Sequence, residues 1–540
     1  MRKTAGWSRR DVLVGGSAAI AGSTMSLFVP RAARAITEAE MFPTVETQYG
    51  KVRGVEWNGI KTFKGIRYGA STAGANRYLP PREPASWTGV FDAFDYGQIA
   101  PQTPTDRRSH YSGLILWDRQ PGGIGEDCLV LNLWTPSIND NAKRAVLVVF
   151  HGGGFASGSG NTIGFDGDQA ARYDDVVVVS VNHRLSSFGF LGLGELGAPP
   201  EFKYAGVAGA LDMVASLRWV KQNIGRFGGD PDRVMVFGQS GGGAKTSTLL
   251  AMPGAKGLFQ RAGVQSGSAL RLMTQEAAVT SAEKLLNVLG IGKGNIRDLQ
   301  KLPFTQLLAA QATAQSGFSP VIGTDALPHH PFDPVAPPES ANVPIIVGYT
   351  LDDAALSMTN FDLTEEGLKE QIGKQLGPQA DRVYKMYRDA FPSVTPYLIQ
   401  ARIATDRRFR RSAIKQAELK AAQGTAPVYF YTWEWPVPAF DGKFGAVHGV
   451  DVGAAIHDFR GAINGSGSKD GKQLVERFAA VWTGFAKEGV PKSALTPAWP
   501  AYDADKRATM IFDVDTRVAN DHRREFRLLW DELGATTAGA

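Results

Sequence analysis

The stretch Val234–Thr246 reads VMVFGQSGGGAKT, and it constrains the fold more than any other part of the chain. An apolar run with β-branched residues, typical of a buried strand, ends at glycine, and the TSTLLAM that follows is typical of a helix. Two kinds of site use a strand, a glycine-rich turn and a helix. One binds phosphate at the helix N-terminus, and the other presents a nucleophilic serine on a sharp turn.

Further apolar runs predict more buried strands, and a segment at 206–224 has the apolar spacing of a helix. Buried strands that alternate with helices predict an α/β protein with a mostly parallel sheet covered on both faces. Two further helical stretches, at 276–316 and 361–425, are predicted to be insertions above this sheet. The strand runs are AVLVVF (145–150), DVVVVSVNHR (175–184), RAGVQSGS (261–268), VPIIVGYT (343–350) and VYFYTWEW (428–435).

The charge of the chain argues against a nucleic-acid partner. The formal net charge is +5, but the first 35 residues hold six Lys or Arg and one Asp. Without them, the 58 basic and 53 acidic residues of the whole chain fall to 52 of each. A neutral body offers no electrostatic footprint for DNA or RNA. The composition, 43% hydrophobic and 21% charged, is that of an ordinary globular protein.

The N-terminus resembles a bacterial twin-arginine (Tat) export signal. Arg9 and Arg10 precede a weakly apolar stretch, which closes with the small-x-small site Ala33-Arg34-Ala35. We therefore expect a cleaved signal at 1–35, a single domain at 36–540, and a periplasmic or secreted protein. A basic tail and a membrane anchor are the alternatives. No other segment approaches about 18 uninterrupted apolar residues, so no membrane insertion is expected after cleavage.

The chain has a single cysteine, Cys128. An intramolecular disulfide is therefore impossible, and a zinc site built from clustered cysteines is excluded.

The glycine turn does not fit a phosphate-binding loop. That loop requires G-x-x-x-x-G-K-[ST], and Gly238 and Gly243 have the required separation. Ala244, however, stands where the lysine is needed, and Lys245 and Thr246 come one place late. A lysine and a hydroxyl that must meet particular phosphates do not tolerate this shift.

The same turn fits a nucleophile turn, because Gly238-Gln239-Ser240-Gly241-Gly242 matches G-x-S-x-G between a strand and a helix. Acyl transfer also needs backbone N–H donors for an oxyanion. The HGGGF segment at 151–155, directly after the buried strand AVLVVF, is a candidate for them, although a plain flexible turn has the same composition.

A serine nucleophile needs a base and an acid, which follow it in the order acid, then histidine, in α/β-hydrolases. Of the eight histidines, five come after Ser240, and we favour His448 in the glycine-flanked loop FGAVHGVD. His457 lies in a possible helix, where a structural histidine is more common. The acid is expected after the strand VPIIVGY, at Asp352 or Asp353, where a solvated turn or a helix cap is the alternative. The five histidines are 329, 330, 448, 457 and 522.

Taken together, these motifs resemble the type-B carboxylesterases, a family that includes cholinesterases and bacterial para-nitrobenzyl esterases. The similarity runs from about residue 44 to about 530. The chain is identified with this family by segments in the family's order: GEDCLVLNLWTP (125–136), HGGGF, DVVVVSVNHRLSSFGFL (175–191), LRWVKQNIGRFGGDPDRVMVFGQSGGG (217–243), RAGVQSGS, GYTLDD and HGVD.

The resemblance implies an α/β-hydrolase fold and assigns roles to residues. Asp353 stands where the family usually has glutamate, so its loop must lie closer to His448, and Asp352 is the alternative acid. Ser266 matches a serine near the acid. The implied catalytic residues are Ser240, Asp353 and His448, the oxyanion donors are Gly153, Gly154 and Gly241, and a buried structural ion pair is formed by Arg184 and Asp212.

The implied activity is the hydrolysis of small-molecule carboxylic esters through an acyl-enzyme, with no metal or organic cofactor. A non-catalytic binding protein on the same fold is the rival, and an amidase or lactonase would use the same triad. The acyl and alcohol preferences are expected to depend on the gorge walls, which include the 105–120 loop. His110, Tyr111 and Trp117 are candidates to line the gorge. The sequence does not decide the oligomeric state, and a monomer is compatible with it.

Overall fold

The apolar runs of the sequence form the central strands of the structure, a computed structural model that describes residues 37–103, 111, 114 and 121–537. The predicted export signal, His110 and Trp117 lie outside these residues. The strands are β1 (Thr44–Thr47), β2 (Gly50–Arg53), β3 (Val55–Trp57), β4 (Ile60–Arg67), β5 (Val90–Asp92), β6 (Val130–Thr135), β7 (Arg144–Phe150), β8 (Val177–Val181), β9 (Gly229–Gln239), β10 (Arg261–Gln265), β11 (Ile345–Thr350), β12 (Val428–Trp433), β13 (Ala508–Phe512) and β14 (Arg517–Asn520).

Eleven of these strands form one sheet, in the order β14-β13-β12-β11-β10-β9-β7-β8-β6-β4-β3. The seven neighbours from β13 to β8 are mutually parallel, and the strands at both edges are antiparallel. The predicted mostly parallel sheet is therefore confirmed. A separate small sheet joins β1, β2 and β5.

Helices connect the parallel strands and cover the sheet. The helix predicted at 206–224 occupies Ala208–Asn223. The helices are α1 (Glu38–Met41), α2 (Asp168–Asp174), α3 (Ser186–Phe190), α4 (Ala208–Asn223), α5 (Gly241–Leu250), α6 (Gln275–Leu289), α7 (Phe304–Ala314), α8 (Glu365–Leu376), α9 (Ala380–Ala390), α10 (Pro396–Thr405), α11 (Arg411–Gln423), α12 (Val450–Ala455), α13 (Lys469–Glu488) and α14 (Arg524–Thr537).

The sheet has an apolar core on each face, because successive side chains of a strand point to opposite sides. In β7, Val146, Val148 and Phe150 join one buried cluster, whereas Leu147 and Val149 join the other. This two-sided burial explains why the strand reads as a continuous apolar run without polar alternation.

The two predicted insertions are helical, and each builds an apolar cluster of its own. In the first, Leu285 and Leu307 pack together with Phe202. In the second, helices α8 to α10 pack with the C-terminal helix through residues such as Tyr387 and Phe526. Helix α11 of the second insertion lies against β11 and β12, which fixes this part of the insertion to the central sheet.

Two further features of the fold concern buried polar groups. The predicted structural ion pair is present, because both carboxylate oxygens of Asp212 accept hydrogen bonds from the Arg184 guanidinium, at 2.6 and 2.8 Å. Cys128 is buried as a free thiol. The described residues from Ala39 onwards form one compact unit. Among the described residues, no helix is both long and apolar enough to cross a membrane.

Candidate active site

The candidate residues meet at the carboxyl edge of the parallel sheet. The strand register places Phe150 opposite Gly238, and Gln239 opposite Gln265. The next residues of these strands, among them Ser240, therefore leave the sheet at one level. In an open parallel sheet this edge is the usual ligand site.

Ser240 lies on a strained turn between β9 and α5, with φ of 59° and ψ of −123°. Its flanking glycines are required by close packing. A Cβ atom on Gly238 would lie 2.4 Å from the carbonyl oxygen of Phe150, and one on Gly242 would lie 2.0 Å from the same atom. Backbone strain of this kind costs about 1–3 kcal/mol and is kept where the surroundings enforce it. The amide of Ser240 donates to the Gln265 carbonyl at 2.8 Å, which holds the turn in place.

The three glycines predicted as oxyanion donors come together beside this turn. Gly153 and Gly154 have φ values of 83° and 61°, which other residues rarely adopt. A Cβ atom on Gly241 would lie 2.2 Å from the Gly154 nitrogen. The backbone at the start of α5 and the backbone of the glycine loop are therefore in direct contact.

His448 and Asp353 form a buried pair. The His448 Nδ1 lies 2.6 Å from the Asp353 Oδ1, and neither side chain is more than 3% exposed. The second oxygen of Asp353 accepts a hydrogen bond from the Thr350 amide at 2.9 Å. Because a carboxylate only accepts, the proton of a neutral imidazole belongs on Nδ1, which leaves Nε2 as a free acceptor.

The alternative acid, Asp352, is engaged elsewhere. Its Oδ1 accepts from Arg402 Nε at 2.9 Å and its Oδ2 from the Ala446 amide at 2.9 Å. The Asp352 amide in turn donates to the Ala446 carbonyl at 3.0 Å. Asp352 therefore ties the loop of the acid to the loop of His448, and the imidazole is left to Asp353.

Two aromatic residues, Tyr111 and Phe409, also contact His448. The Tyr111 hydroxyl donates to the His448 carbonyl at 2.9 Å, so this residue of the predicted gorge contacts the histidine loop. Burial, reinforced by Asp353, raises the pKa of Tyr111. The Phe409 ring lies 5.2 Å from the imidazole ring. The sequence predicted the helical insertion that carries Phe409 and Arg402, but nothing in the pattern pointed to these two residues.

A third buried carboxyl, that of Asp451, lies three residues after His448. Asp451 accepts a hydrogen bond from the Tyr431 hydroxyl at 2.5 Å, and its carbonyl accepts from Gln265 Nε2 at 3.1 Å. Burial raises the pKa of Asp451 to about 6. Gln239 directly precedes the nucleophile in the chain. Its side-chain amide is buried and makes no hydrogen bond among the described residues. In the sequence, Asp451 stood out only as the last residue of the HGVD motif, and no role was predicted for it.

Ser266, which the resemblance places near the acid, directly follows β10. Its amide donates to the Gly348 carbonyl of β11 at 2.8 Å. Its hydroxyl is buried and has no hydrogen-bond partner in the described part of the chain. The structure therefore places Ser266 beside the strand that leads to Asp353 without a hydrogen bond to that acid.

The other late histidines are bound to structural partners. His457, expected to be structural, lies 2.9 Å from an Asp174 carboxylate oxygen. His522 lies 2.7 Å from Glu434, and His329 lies 3.3 Å from Glu339.

The phosphate-loop alternative is excluded by the position of Lys245. Its side chain is fully buried, and its amine donates to the His151 carbonyl at 2.7 Å. A phosphate-binding lysine must instead reach a ligand in an open loop.

A serine on a strand-to-helix turn, a glycine loop after the adjacent strand, and an imidazole held by a later acid are the arrangement of the α/β-hydrolase fold. The fold predicted from the sequence is confirmed, and it places the protein in the α/β-hydrolase fold class.

The chain belongs to the carboxylesterase family, whose family model matches residues 42–529. It is 35% identical over 498 residues to the para-nitrobenzyl esterase of Bacillus subtilis (strain 168), covering 89% of this chain and 97% of that protein. It is 31% identical to the phenmedipham hydrolase of Pseudarthrobacter oxydans, with the same coverage of 89% and 97%. The crystal structure of a Geobacillus stearothermophilus carboxylesterase at pH 6.2 superposes with a TM-score of 0.78 at 33% identity, covering 90% of this chain and 99% of that one. The protein is therefore a carboxylic ester hydrolase.

Proposed function

We propose that the protein hydrolyses carboxylic esters through an acyl-enzyme on Ser240, with His448 as the base and Asp353 as the acid that orients it. The observation that supports this most is the buried 2.6 Å hydrogen bond between His448 Nδ1 and Asp353 Oδ1. It supplies an imidazole of defined tautomer, which general-base catalysis requires. Asp352, with both oxygens already engaged, is not needed as the acid.

In the proposed first half of the reaction, His448 Nε2 takes the proton of the Ser240 hydroxyl as its oxygen attacks the ester carbonyl carbon. The tetrahedral intermediate collapses when the same imidazolium gives that proton to the leaving alcohol, so the C–O bond breaks and the acyl group stays on serine. Asp353 stabilises the imidazolium in between. No hydrogen bond joins Ser240 to His448 within the described residues, and such catalytic hydrogen bonds often tighten only with substrate bound.

In the proposed second half, a water molecule replaces the alcohol. His448 takes a proton from the water, the resulting hydroxide attacks the acyl carbon, and the proton returns to Ser240 as the acid leaves. The backbone N–H groups of Gly153, Gly154 and Gly241 are proposed to bind the oxyanion in both halves. Removing one such donor typically costs about 10²–10³ in rate.

The substrates we propose are small esters with an aromatic group. The similarity to a para-nitrobenzyl esterase over nearly the whole of both chains supports this choice. The Phe409 ring supports it as well, because it lies 5.2 Å from the imidazole ring of His448. An aromatic ring beside the base favours a flat apolar leaving group.

An acyl-enzyme can be tested by how products partition between two acceptors. We expect p-nitrobenzyl acetate and p-nitrophenyl acetate, hydrolysed with added methanol, to give one common ratio of methyl acetate to acetate. Both esters would pass through the same acetyl-Ser240, so the leaving group no longer matters at the branch point. Gas chromatography of the products measures the ratio. A ratio that differs between the two esters would mean direct attack by water and would contradict the proposal.

Export through the twin-arginine pathway remains a prediction from the sequence, and we propose it as the route to a periplasmic or secreted location. If the signal is cleaved after Ala35, the mature chain recovered outside the cytoplasm of a bacterial host should begin at Ile36. Intact mass and N-terminal peptide mapping measure this. Replacing Arg9 and Arg10 by lysine should retain the full-length chain inside the cell, and export of that variant at the normal level would contradict the proposal.

A further inference from the structure

Lys245 is a buried amine directly beneath the glycine loop of the site. It lies on α5, five residues after Ser240, and its side chain is fully buried. Its Nζ donates to the carbonyl of His151 at 2.7 Å and lies 3.5 Å from the carbonyl of Gly152. Among the described residues, no carboxylate forms an ion pair with it. The lysine therefore satisfies backbone carbonyls of the loop rather than an acid.

Burying such a group is costly without a role for it. Burial lowers the pKa of the Lys245 amine well below its usual range. Both protonation states still carry hydrogens to donate, so the contacts to the two carbonyls exist in either form. An apolar side chain of similar length would fill the same space without the cost of removing an amine from water. The polar end of Lys245 therefore has to be explained by what it binds.

The geometry of the peptide unit links this amine to the site. The Gly152 carbonyl and the Gly153 N–H belong to one planar trans peptide, so they point in opposite directions. The Gly152 carbonyl lies 2.9 Å from His151 Nδ1 and 3.5 Å from Lys245 Nζ, so the imidazole and the amine together hold this peptide and with it the direction of the Gly153 N–H. The neighbouring peptide is held differently, because the Gly153 carbonyl accepts from the amides of Ala156 and Ser157 at 3.3 and 3.1 Å. A local turn thus orients the Gly154 N–H, whereas the Gly153 N–H depends on His151 and on Lys245, which contacts both the Gly152 carbonyl and the His151 imidazole.

The surroundings of the lysine restrict it to this contact. Its Nζ lies 3.4 Å from His151 Nδ1, and the His151 ring stacks on His183 with centroids 5.1 Å apart. Burial and the charge of Lys245 both lower the pKa of each imidazole, so the pair is neutral. The His183 Nδ1 is within 2.7 Å of the Arg184 carbonyl, which fixes the stack from the far side.

We propose that Lys245 is a positioning residue that, by holding His151 and the Gly152 carbonyl, sets the direction of the Gly153 amide and thereby the strength of the oxyanion hole. This inference rests on the proposed function, because it needs an oxyanion beside Ser240. Lys245 itself touches neither the substrate nor the reacting atoms.

The test compares Lys245→Met with a matched control, Lys420→Met. Lys420 is also a buried lysine whose Nζ binds backbone carbonyls, those of Ser340 and Ala341 at 3.0 and 2.8 Å, but it lies on α11 outside the site. We expect Lys245→Met to lower kcat for p-nitrobenzyl acetate by about 10²-fold with KM nearly unchanged. Its affinity for an aryl trifluoromethyl ketone, which forms an oxyanion on the serine, should fall by the same factor. Lys420→Met should change neither value.

The ketone separates positioning from a merely structural role. Activity lost in Lys245→Met without a parallel loss of ketone affinity would overturn the proposal, as would full activity in the folded variant or an equal loss in Lys420→Met. If Lys245→Met does not fold, the comparison is made with Lys245→Gln, which keeps an N–H donor one atom short and should give a smaller, parallel loss. Unchanged values in Lys245→Gln would overturn the proposal. A wild-type protein that does not bind the ketone would instead contradict the proposed function.

Discussion

Replacing Ser240 by alanine should lower kcat/KM for p-nitrobenzyl acetate by about 10⁶-fold while the protein stays folded. The nucleophile would be gone, and a histidine and acid without it give no more catalysis than removing all three residues of such a triad. The substitution should leave stability nearly unchanged, because alanine occupies the same backbone conformation and the Ser240 hydroxyl makes no hydrogen bond among the described residues. Steady-state kinetics and urea unfolding measure the two effects.

The control is Ser247→Ala on the same helix. The Ser247 hydroxyl is buried and accepts a hydrogen bond from Gln416 Nε2 at 3.0 Å, so its removal should lower stability by about 1 kcal/mol and leave kcat/KM within about threefold of the wild type. The two variants should therefore show opposite profiles. A Ser240→Ala protein that retained a substantial part of the activity would mean that another group is the nucleophile.

Replacing Asp353 by asparagine should lower kcat/KM by about 10⁴-fold at neutral pH. The amide nitrogen of asparagine would donate to His448 Nδ1, where the carboxylate oxygen accepts at 2.6 Å. The imidazole would then carry its proton on Nε2, the nitrogen that must accept the serine proton, and no negative charge would stabilise the imidazolium. The fold should persist, because asparagine can still accept the hydrogen bond that Thr350 donates at 2.9 Å.

The adjacent residue provides a matched control with a different expected result. Asp352→Asn makes the same chemical change one position earlier, but it should retain most of the activity and lower the free energy of unfolding by roughly 3 kcal/mol. Arg402, whose Nε lies 2.9 Å from Asp352, would be left with an uncompensated buried charge. If Asp352→Asn lost the activity and Asp353→Asn kept it, the roles of the two acids would have to be exchanged.

The fold could be predicted from the sequence because its central strands are buried on both faces. Such strands are continuous apolar runs, as in AVLVVF of β7, and they need no knowledge of distant residues to be recognised. The nucleophile turn was predictable for a similar local reason. The glycines around Ser240 are dictated by backbone contacts within a few ångströms, and they leave a signature of five consecutive residues.

The resemblance to the family assigned the acid to Asp353, but the residue pattern alone left Asp352 as the alternative. Asp352 and Asp353 follow the same strand and differ only in what reaches them from elsewhere in the chain. Arg402, 50 residues later, and Ala446, 94 residues later, engage Asp352 and leave Asp353 for the imidazole. Contacts over such separations depend on how the helical insertion packs, and no local pattern encodes them.

Lys245 illustrates the same limit in another form. Its spacing from Gly238 and Gly243 showed only that it lies one residue too late for the lysine of a phosphate-binding loop. Its contact with the His151 carbonyl spans 94 residues and depends on β7 and β9 being neighbours in the sheet. The order of the strands in space therefore decides what this side chain does.

The central claim is that Ser240 is the nucleophile, and covalent labelling tests it most directly. The folded protein would be treated with a fluorophosphonate, digested and mapped by mass spectrometry, beside the Ser240→Ala variant. A phosphonyl group on Ser240 alone, with no adduct on the variant, is the result expected of a serine activated by His448. An adduct on a different residue, or none on a folded protein that hydrolyses p-nitrobenzyl acetate, would contradict the mechanism.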